Sequence, residues 1–204
     1  MLVTGTGTGI GKTWWTAQIA RQLRTRGVEV TTRKPVQSFD PSDETTDADV
    51  LAAATGDDPT RVCPQHRWLP VPMAPPMAAE VLGHQSFTIS ELMSELTWPG
   101  RCAVGLVETA GGPRSPLASD GDSVDLAAAL APDDVLLVAD AGLGTINAVR
   151  LAASVLNDAV VVGLNRFDEH DDLHHRNHEW LARGYNVVVD PVVLVDRLTA
   201  GALS

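Results

Sequence analysis

Lysine is nearly missing from this chain: of fifteen basic residues only Lys12 and Lys34 are lysines, the rest being arginine. A sequence that writes arginine almost everywhere keeps lysine where a slim point charge on a flexible stem suits a phosphate or carbamate and a broad guanidinium fork would not fit. Basic residues are also outnumbered, and a formal charge of −11 argues against nucleic acid or an anionic membrane as the main partner, since either needs a basic face. Cysteine is scarce and isolated. Cys63 and Cys102 form no C-x-x-C pair, which excludes a zinc knuckle or redox motif and leaves buried or idle thiols. No apolar run approaches membrane-spanning length and the N-terminus carries no charged and apolar leader, so the expected compartment is the cytoplasm. Repeats and low-complexity tracts are absent. With 204 residues and 44% hydrophobic content, the chain can bury a full core as one domain, 1–204, without staples.

Glycine is concentrated at the start, in Gly5-Thr6-Gly7-Thr8-Gly9-Ile10-Gly11-Lys12-Thr13. This run follows a short apolar strand and opens a helix whose apolar positions Trp15, Ile19, Ala20 and Leu23 recur at helical period, the setting of a phosphate-binding P-loop. Backbone N–H groups of Gly9, Ile10 and Gly11 and the helix N-terminus would cradle phosphates. Lys12 would reach the β/γ oxygens and the Thr13 hydroxyl would hold magnesium. The strict spacing is exceeded by one residue, because Thr6 stands five before Gly11 and the nearest usable glycine is Gly5. Two rivals fail. The short-chain dehydrogenase pattern needs Tyr-x-x-x-Lys, but the single tyrosine, Tyr185, has Val189 four residues on; the G-x-G-x-x-G fingerprint has Ile10 at its third glycine.

Apolar strand candidates at 2–4, 28–33, 103–107, 135–139, 160–164 and 187–189 alternate with helical patterns at 12–26, 47–55, 77–82, 90–96, 123–130, 146–156 and 171–183. Runs such as Val160-Val161-Val162 are apolar on both faces, as parallel strands of an α/β sheet are. Residues 70–76 read as a long ordered loop. In a doubly wound sheet, ligands sit beyond the carboxyl ends of the strands, and there fall the P-loop, Lys34, Glu108, Asp140 and Asn165. Glu108, followed by Gly111-Gly112, is the candidate carboxylate that completes a magnesium shell.

Taken together, Gly5-Thr6-x-Thr8-x-x-Gly11-Lys12-Thr13, Lys34-Pro35-Val36-x-Ser38, Thr46-Asp47-Ala48-Asp49-Val50, Val107-Glu108-Thr109-Ala110-Gly111-Gly112 and Gly144-Thr145-Ile146-Asn147 closely resemble dethiobiotin synthetase, from residue 1 to about 165. The resemblance implies a P-loop NTPase-like α/β fold, doubly wound and mainly parallel, in a homodimer with shared active sites. It also implies ATP and Mg²⁺ as cofactors, with 7,8-diaminopelargonic acid and carbon dioxide as substrates for ureido-ring closure, the penultimate step of biotin synthesis. On this resemblance Lys12, Lys34, Thr8 and Ser38 act on the carbamate or diamine, and Thr13, Asp49 and Glu108 ligate or orient magnesium. Asp49 is preferred to Asp47 because Val50-Leu51-Ala52-Ala53 matches the family's Asp-plus-apolar helix start. Gly111 approaches substrate, and Asn165 matches an adenine-contacting Asn. The helix start at Gly144, Thr145, Ile146 and Asn147 binds the substrate's tail carboxylate in the partner's site.

Some features depart from the family. Thr109 stands where glycine is usual and could narrow the approach to substrate, and residues 113–122, with Arg114, Asp120 and Asp122, are more polar than the family loop. Asn165-Arg166-Phe167-Asp168 approximates the N-K-x-D guanine reader, so GTP stays an alternative to ATP. His170, His174 and His178 share a face of a polar helix at a spacing that can hold zinc or nickel, but Asp171, Asp172, Arg176 and Glu179 make it a solvated face. A P-loop switch or partitioning ATPase would usually carry a second lysine where Thr4 to Thr6 stand, and a related amidoligase usually carries a glutaminase domain.

Overall fold

The computed structural model describes residues 1–156 and 160–202. Six strands, β1 (Leu2–Gly5), β2 (Val30–Arg33), β5 (Val104–Glu108), β8 (Val135–Asp140), β9 (Val160–Asn165) and β10 (Asn186–Val188), form one parallel sheet in the order β10-β9-β8-β1-β5-β2. Parallel neighbours need long crossovers, and these are the helices: α1 (Lys12–Thr25), α2 (Asp47–Thr55), α3 (Pro59–Val62), α4 (Pro75–Val81), α5 (Ile89–Glu95), α6 (Ser123–Leu130), α7 (Thr145–Ala153), α8 (Asp172–Leu181) and α9 (Pro191–Ala202).

Helices cover both faces, which explains why β8 and β9 are apolar until their last residues. Successive residues of one strand enter different cores: Leu2, Val107, Leu137, Val162 and Leu164 pack with Leu92, Leu126, Val149 and Leu181. Val3, Leu106, Leu136, Val138 and Val161 pack with Trp15, Ile19, Leu23, Leu51 and Leu194 on the opposite face. Trp15 is fully buried, while its neighbour Trp14 stands half-exposed with its ring edge to Trp15, as adjacent helix positions require.

Several elements differ from the sequence expectation. The expected strand at 28–33 starts only at Val30, and the strand expected to end at Val107 runs on to Glu108. Part of the 70–76 segment is helical: Pro75 opens α4, where a proline's missing N–H costs nothing. Two further strand pairs were not expected, parallel β3 (Gln37–Ser38) with β4 (Trp68–Leu69) and antiparallel β6 (Pro116–Ala118) with β7 (Gly121–Asp122). Helix α9, which packs Leu194 and Val195 against α1's core, was also unexpected. No helix among the described residues is long and apolar enough to cross a membrane.

Candidate active site

The first strand delivers the chain to a loop that folds tightly over its own start. A side chain on Gly5 would meet the Ile10 Cδ1 at 2.5 Å, so Ile10 closes down on bare backbone. Gly11 has φ 97° at the N-cap of α1, and a Cβ there would lie 2.1 Å from Asn165 Nδ2. Asn165, at the end of β9, explains the crowding: its Nδ2 donates to Ile10 O at 2.9 Å and its Oδ1 accepts from Trp15 Nε1 at 3.2 Å. The amide thus pins the loop to the helix it opens, and its second N–H is left for another acceptor.

Behind the loop the two lysines and two carboxylates meet. Lys12 Nζ donates to Gly7 O at 2.7 Å. Lys34, 2% exposed, places its Nζ 2.7 Å from Glu108 Oε1 and 2.7 Å from Asp47 Oδ2, and 3.3 Å from Thr109 O. Thr13 Oγ1 lies 2.8 Å from both Asp47 Oδ1 and Glu108 Oε1, although its single proton can serve only one of them. Glu108 is fully buried, and its Oε2 has no hydrogen-bond partner among the described residues.

These neighbours set the protonation of the lysines. Burial lowers the Lys12 pKa to about 8, helped by the nearby charge of Lys34, against weaker opposing pulls from Glu108 and Asp47. Burial works against Lys34 as well, but Asp47 and Glu108 overcome it and hold the ammonium above its ordinary range. Burial likewise opposes the Asp47 carboxylate, yet Lys34 and Thr13 keep its pKa below the usual one. One lysine is therefore locked as a cation and the other is poised.

A cleft of about 660 Å³ opens on this cluster. Of the expected residues, Thr8, Gly9, Gly11, Lys12, Thr13, Lys34, Ser38 and Gly111 line it. Gly144, Thr145, Ile146 and Asn147 do not; they open α7 elsewhere on the sheet's carboxyl edge, where Gly144 adopts φ 92° and Leu143 is 92% exposed. Thr145 is buried, and its Oγ1 has no partner among the described residues.

Asp49, expected to ligate or orient magnesium, lies in the first turn of α2 and does not line the cleft. Asp49 closes a capping box: its Oδ2 accepts from Thr46 N and Thr46 Oγ1, both at 2.8 Å, while Asp49 N donates to Thr46 Oγ1. One of its two carboxylate oxygens is engaged by the helix start. The carboxylate that reaches Thr13 and Lys34 is that of Asp47, the first residue of the helix. The pattern Thr46-x-x-Asp49 carried the signal, since a capping box occupies its acidic member.

Thr109 does not narrow the cleft as expected. Its fully buried side chain donates to Thr4 Oγ1 at 3.1 Å, inside the sheet. In the polar 113–122 stretch, Asp122 caps α6 and pairs with Arg114, and Asp120 Oδ1 accepts from Ile89 N, so these charges support the hairpin, and only Ser115 of the stretch lines the cleft. Arg166, standing where the N-K-x-D guanine reader has lysine, binds the loop: its guanidinium donates to Gly9 O at 2.9 Å and to Asp140 Oδ2 at 2.7 Å. Asp168 Oδ1 accepts from His170 N within its own turn. His174 and His178 pack on the Phe167 ring with His175, and His170 lies outside that group.

A parallel sheet with a glycine loop after its first strand, a Lys-Thr helix start and a strand-end carboxylate beside that threonine defines a nucleotide-binding enzyme of the P-loop class. Comparison with known proteins agrees. The model of the family described as "AAA domain" matches residues 1–177. The signal recognition particle receptor FtsY from Elizabethkingia anophelis has the same fold, with a TM-score of 0.52 at 15% identity; the match covers 97% of this chain and 64% of that structure. Curated proteins are more specific. An ATP-dependent dethiobiotin synthetase BioD of Anaeromyxobacter sp. (strain Fw109-5) is 37% identical over 178 residues, 84% of this chain and 78% of that protein. The BioD of Mycobacteroides abscessus is 36% identical over 95% of this chain and 85% of its own length, and that of Haloferax mediterranei 36% over 81% and 71%. The chain belongs to the ATP-dependent dethiobiotin synthetase family.

Proposed function

We propose that the protein uses ATP and Mg²⁺ to carboxylate 7,8-diaminopelargonic acid with carbon dioxide and close the ureido ring of dethiobiotin. The observation that carries this reading is the convergence of Lys12, Lys34, Thr13 and Asp47 on one cleft, with Glu108 buried behind it against Thr13 and Lys34. A diamine takes up carbon dioxide as a carbamate, whose electron-rich carboxylate carbon resists attack. Transfer of the ATP γ-phosphate to a carbamate oxygen gives a carbamic-phosphoric anhydride, and the second amine displaces phosphate to form the ring. Each stage gathers negative charge between carbamate and phosphates, where fixed cations do most good.

Lys34 suits the carbamate because two carboxylates keep its ammonium charged in a buried position. Lys12 suits the β/γ-phosphates, and Thr8, Ser38 and Gly111 form the adjoining wall for the diamine. The donor set of Thr13, Asp47 and Glu108 fits Mg²⁺: three hard oxygens gather at Thr13 with one hydroxyl proton among them, and Glu108 Oε2 is buried without a partner. Bound there, Mg²⁺ supplies positive charge to the transferring phosphoryl group. Asn165, with one amide N–H still unused, is the proposed contact for the base, and ATP is the nucleotide that the relatives' names specify.

A homodimer with shared sites accounts for the α7 turn. Its helix N-terminus favours an anion, Thr145 Oγ1 lacks a partner among the described residues, and Leu143 stands almost wholly exposed outside the cleft. The substrate's tail carboxylate in the neighbouring subunit is the proposed occupant. The proposed compartment is the cytoplasm, where ATP is supplied. The deciding experiment measures phosphate release from ATP with and without diaminopelargonate plus bicarbonate. A rate that rises only when both are present, with dethiobiotin formed in equal amount, is the expected result; ATP turnover indifferent to both would refute it.

A further inference from the structure

Asp47 is held in place from an unexpected direction. It is the first residue of α2, and a carboxylate there would swing with any fraying of the helix start. Gln37 prevents this. Buried to 1% exposure, it is fixed on β3 by parallel pairing with β4, and its side-chain amide spans the gap to α2. Its Oε1 accepts from Ala48 N at 2.9 Å, and its Nε2 donates to Thr46 Oγ1 at 3.2 Å. Thr46 Oγ1 in turn donates to Asp49 Oδ2 and accepts from Asp49 N. The residues on both sides of Asp47 are thereby tied down: Thr46 by Gln37 and Asp49, Ala48 by Gln37 alone. Asp47 itself is left free to turn its two oxygens toward Thr13 and Lys34. Both ends of the Gln37 amide serve this purpose, with a donor and an acceptor that no charged or apolar residue of the same size provides.

We propose that Gln37 is a positioning residue for the metal site: by clamping the first turn of α2 it sets the distance of the Asp47 carboxylate from Thr13 and Glu108, and hence the affinity for Mg²⁺. This rests on the reading of Asp47 as a magnesium-orienting group. Gln37 lines the cleft, but both functional ends of its side chain are turned to α2, so its effect on the chemistry passes through Asp47.

The test is the tightening of nucleotide binding by Mg²⁺, measured by titration calorimetry of the full chain with a non-hydrolysable ATP analogue, in EDTA and at increasing Mg²⁺. For Gln37→Ala the Mg²⁺ concentration giving half of the tightening should rise about tenfold, and affinity in EDTA should change less than about twofold. Gln37→Glu keeps the acceptor for Ala48 N and loses the donor to Thr46, so it should fall between; it also serves if the alanine variant does not fold. Asp47→Asn separates the two ideas. Loss of tightening in Asp47→Asn with none in either Gln37 variant would overturn the positioning role and leave the metal reading standing. Unchanged tightening in Asp47→Asn would overturn both. Equal weakening with and without Mg²⁺ would reduce Gln37 to a structural part of the cleft and likewise reject the proposal.

Discussion

At the scale of single residues, the two lysines make different demands that variants can separate. Lys34→Gln should lower turnover about 10²-fold or more, the scale of one preorganised charge contact, with ATP affinity changed much less. Lys12→Gln should weaken nucleotide binding as well; equal losses of ATP affinity in steady-state and binding measurements would make Lys34 only another phosphate contact. Lys12 also predicts a pH dependence. In the free protein it loses its proton as pH rises through about 8, whereas a bound phosphate favours the cation. Above that pH, ATP binding takes up a proton and affinity should fall by up to about tenfold per pH unit, with no slope from this group below it. Calorimetry in two buffers of different ionisation enthalpy reads the uptake, and Lys12→Gln should abolish it. The same shift has the opposite sign for folding. Between about 8 and the ordinary 10.5 the unfolded chain holds the extra proton, so this group's contribution to stability rises with pH. Lys12, Thr13, Lys34 and Glu108 could be read from the sequence because each closes or follows a strand, and strand ends share one edge of a parallel sheet. Asp47 could not be separated from Asp49 by composition alone: both are acidic and both lie in a helix's first turn, and the difference lies in the Thr46-x-x-Asp49 capping box, which engages Asp49 while Asp47 reaches Thr13 and Lys34.

At the scale of elements, the P-loop is as much a packing unit as a ligand cradle. Gly11 combines φ 97° with the Asn165 amide against its Cα, two separate reasons for glycine. Gly11→Ala should lower stability by about 2 kcal/mol or more, read from the urea midpoint, through left-handed strain and the clash together. In an Asn165→Ala background the clash is gone and only the conformational part, about 1–2 kcal/mol, should remain. An undiminished cost in that background would show that Asn165 is not what fills the space. The main strands and long helices were legible from apolar runs and helical period, within a few residues at each end. The β3–β4 pair was not, because two-residue strands carry no periodicity and their pairing depends on Trp68 reaching Gln37 across the fold. Helix α9 did carry a signal, with proline at its first position and Leu194, Val195 and Leu198 on one side, but it lies beyond the last of the nucleotide-site motifs.

At the scale of the whole molecule, the proposal that the α7 turn, which lies outside the cleft, serves the site of a neighbouring subunit is open to a complementation test. Thr145 is buried, so a charge there would damage α7 itself; the exposed Asn147 is the better place. Lys12→Gln and Asn147→Glu chains mixed in equal parts and allowed to exchange give about half heterodimers, each with one intact and one doubly damaged site. About a quarter of wild-type activity should return, and none should return, despite verified exchange, if the turn serves its own subunit. The position of β1 has a different consequence, one for the order in which the molecule is made. The loop proposed to hold nucleotide is synthesised before the strands on either side of it: β1 sits between β5 and β8, with Leu2 in register with Val107 and Val135. The first-synthesised part of the candidate site therefore waits for its neighbours, and a nascent chain that has not yet reached Asp140 lacks the β8 strand beside the loop. Nucleotide bound at this loop would then stabilise only a chain in which β5 and β8 are already in place, and is expected to slow unfolding rather than to speed the early folding events.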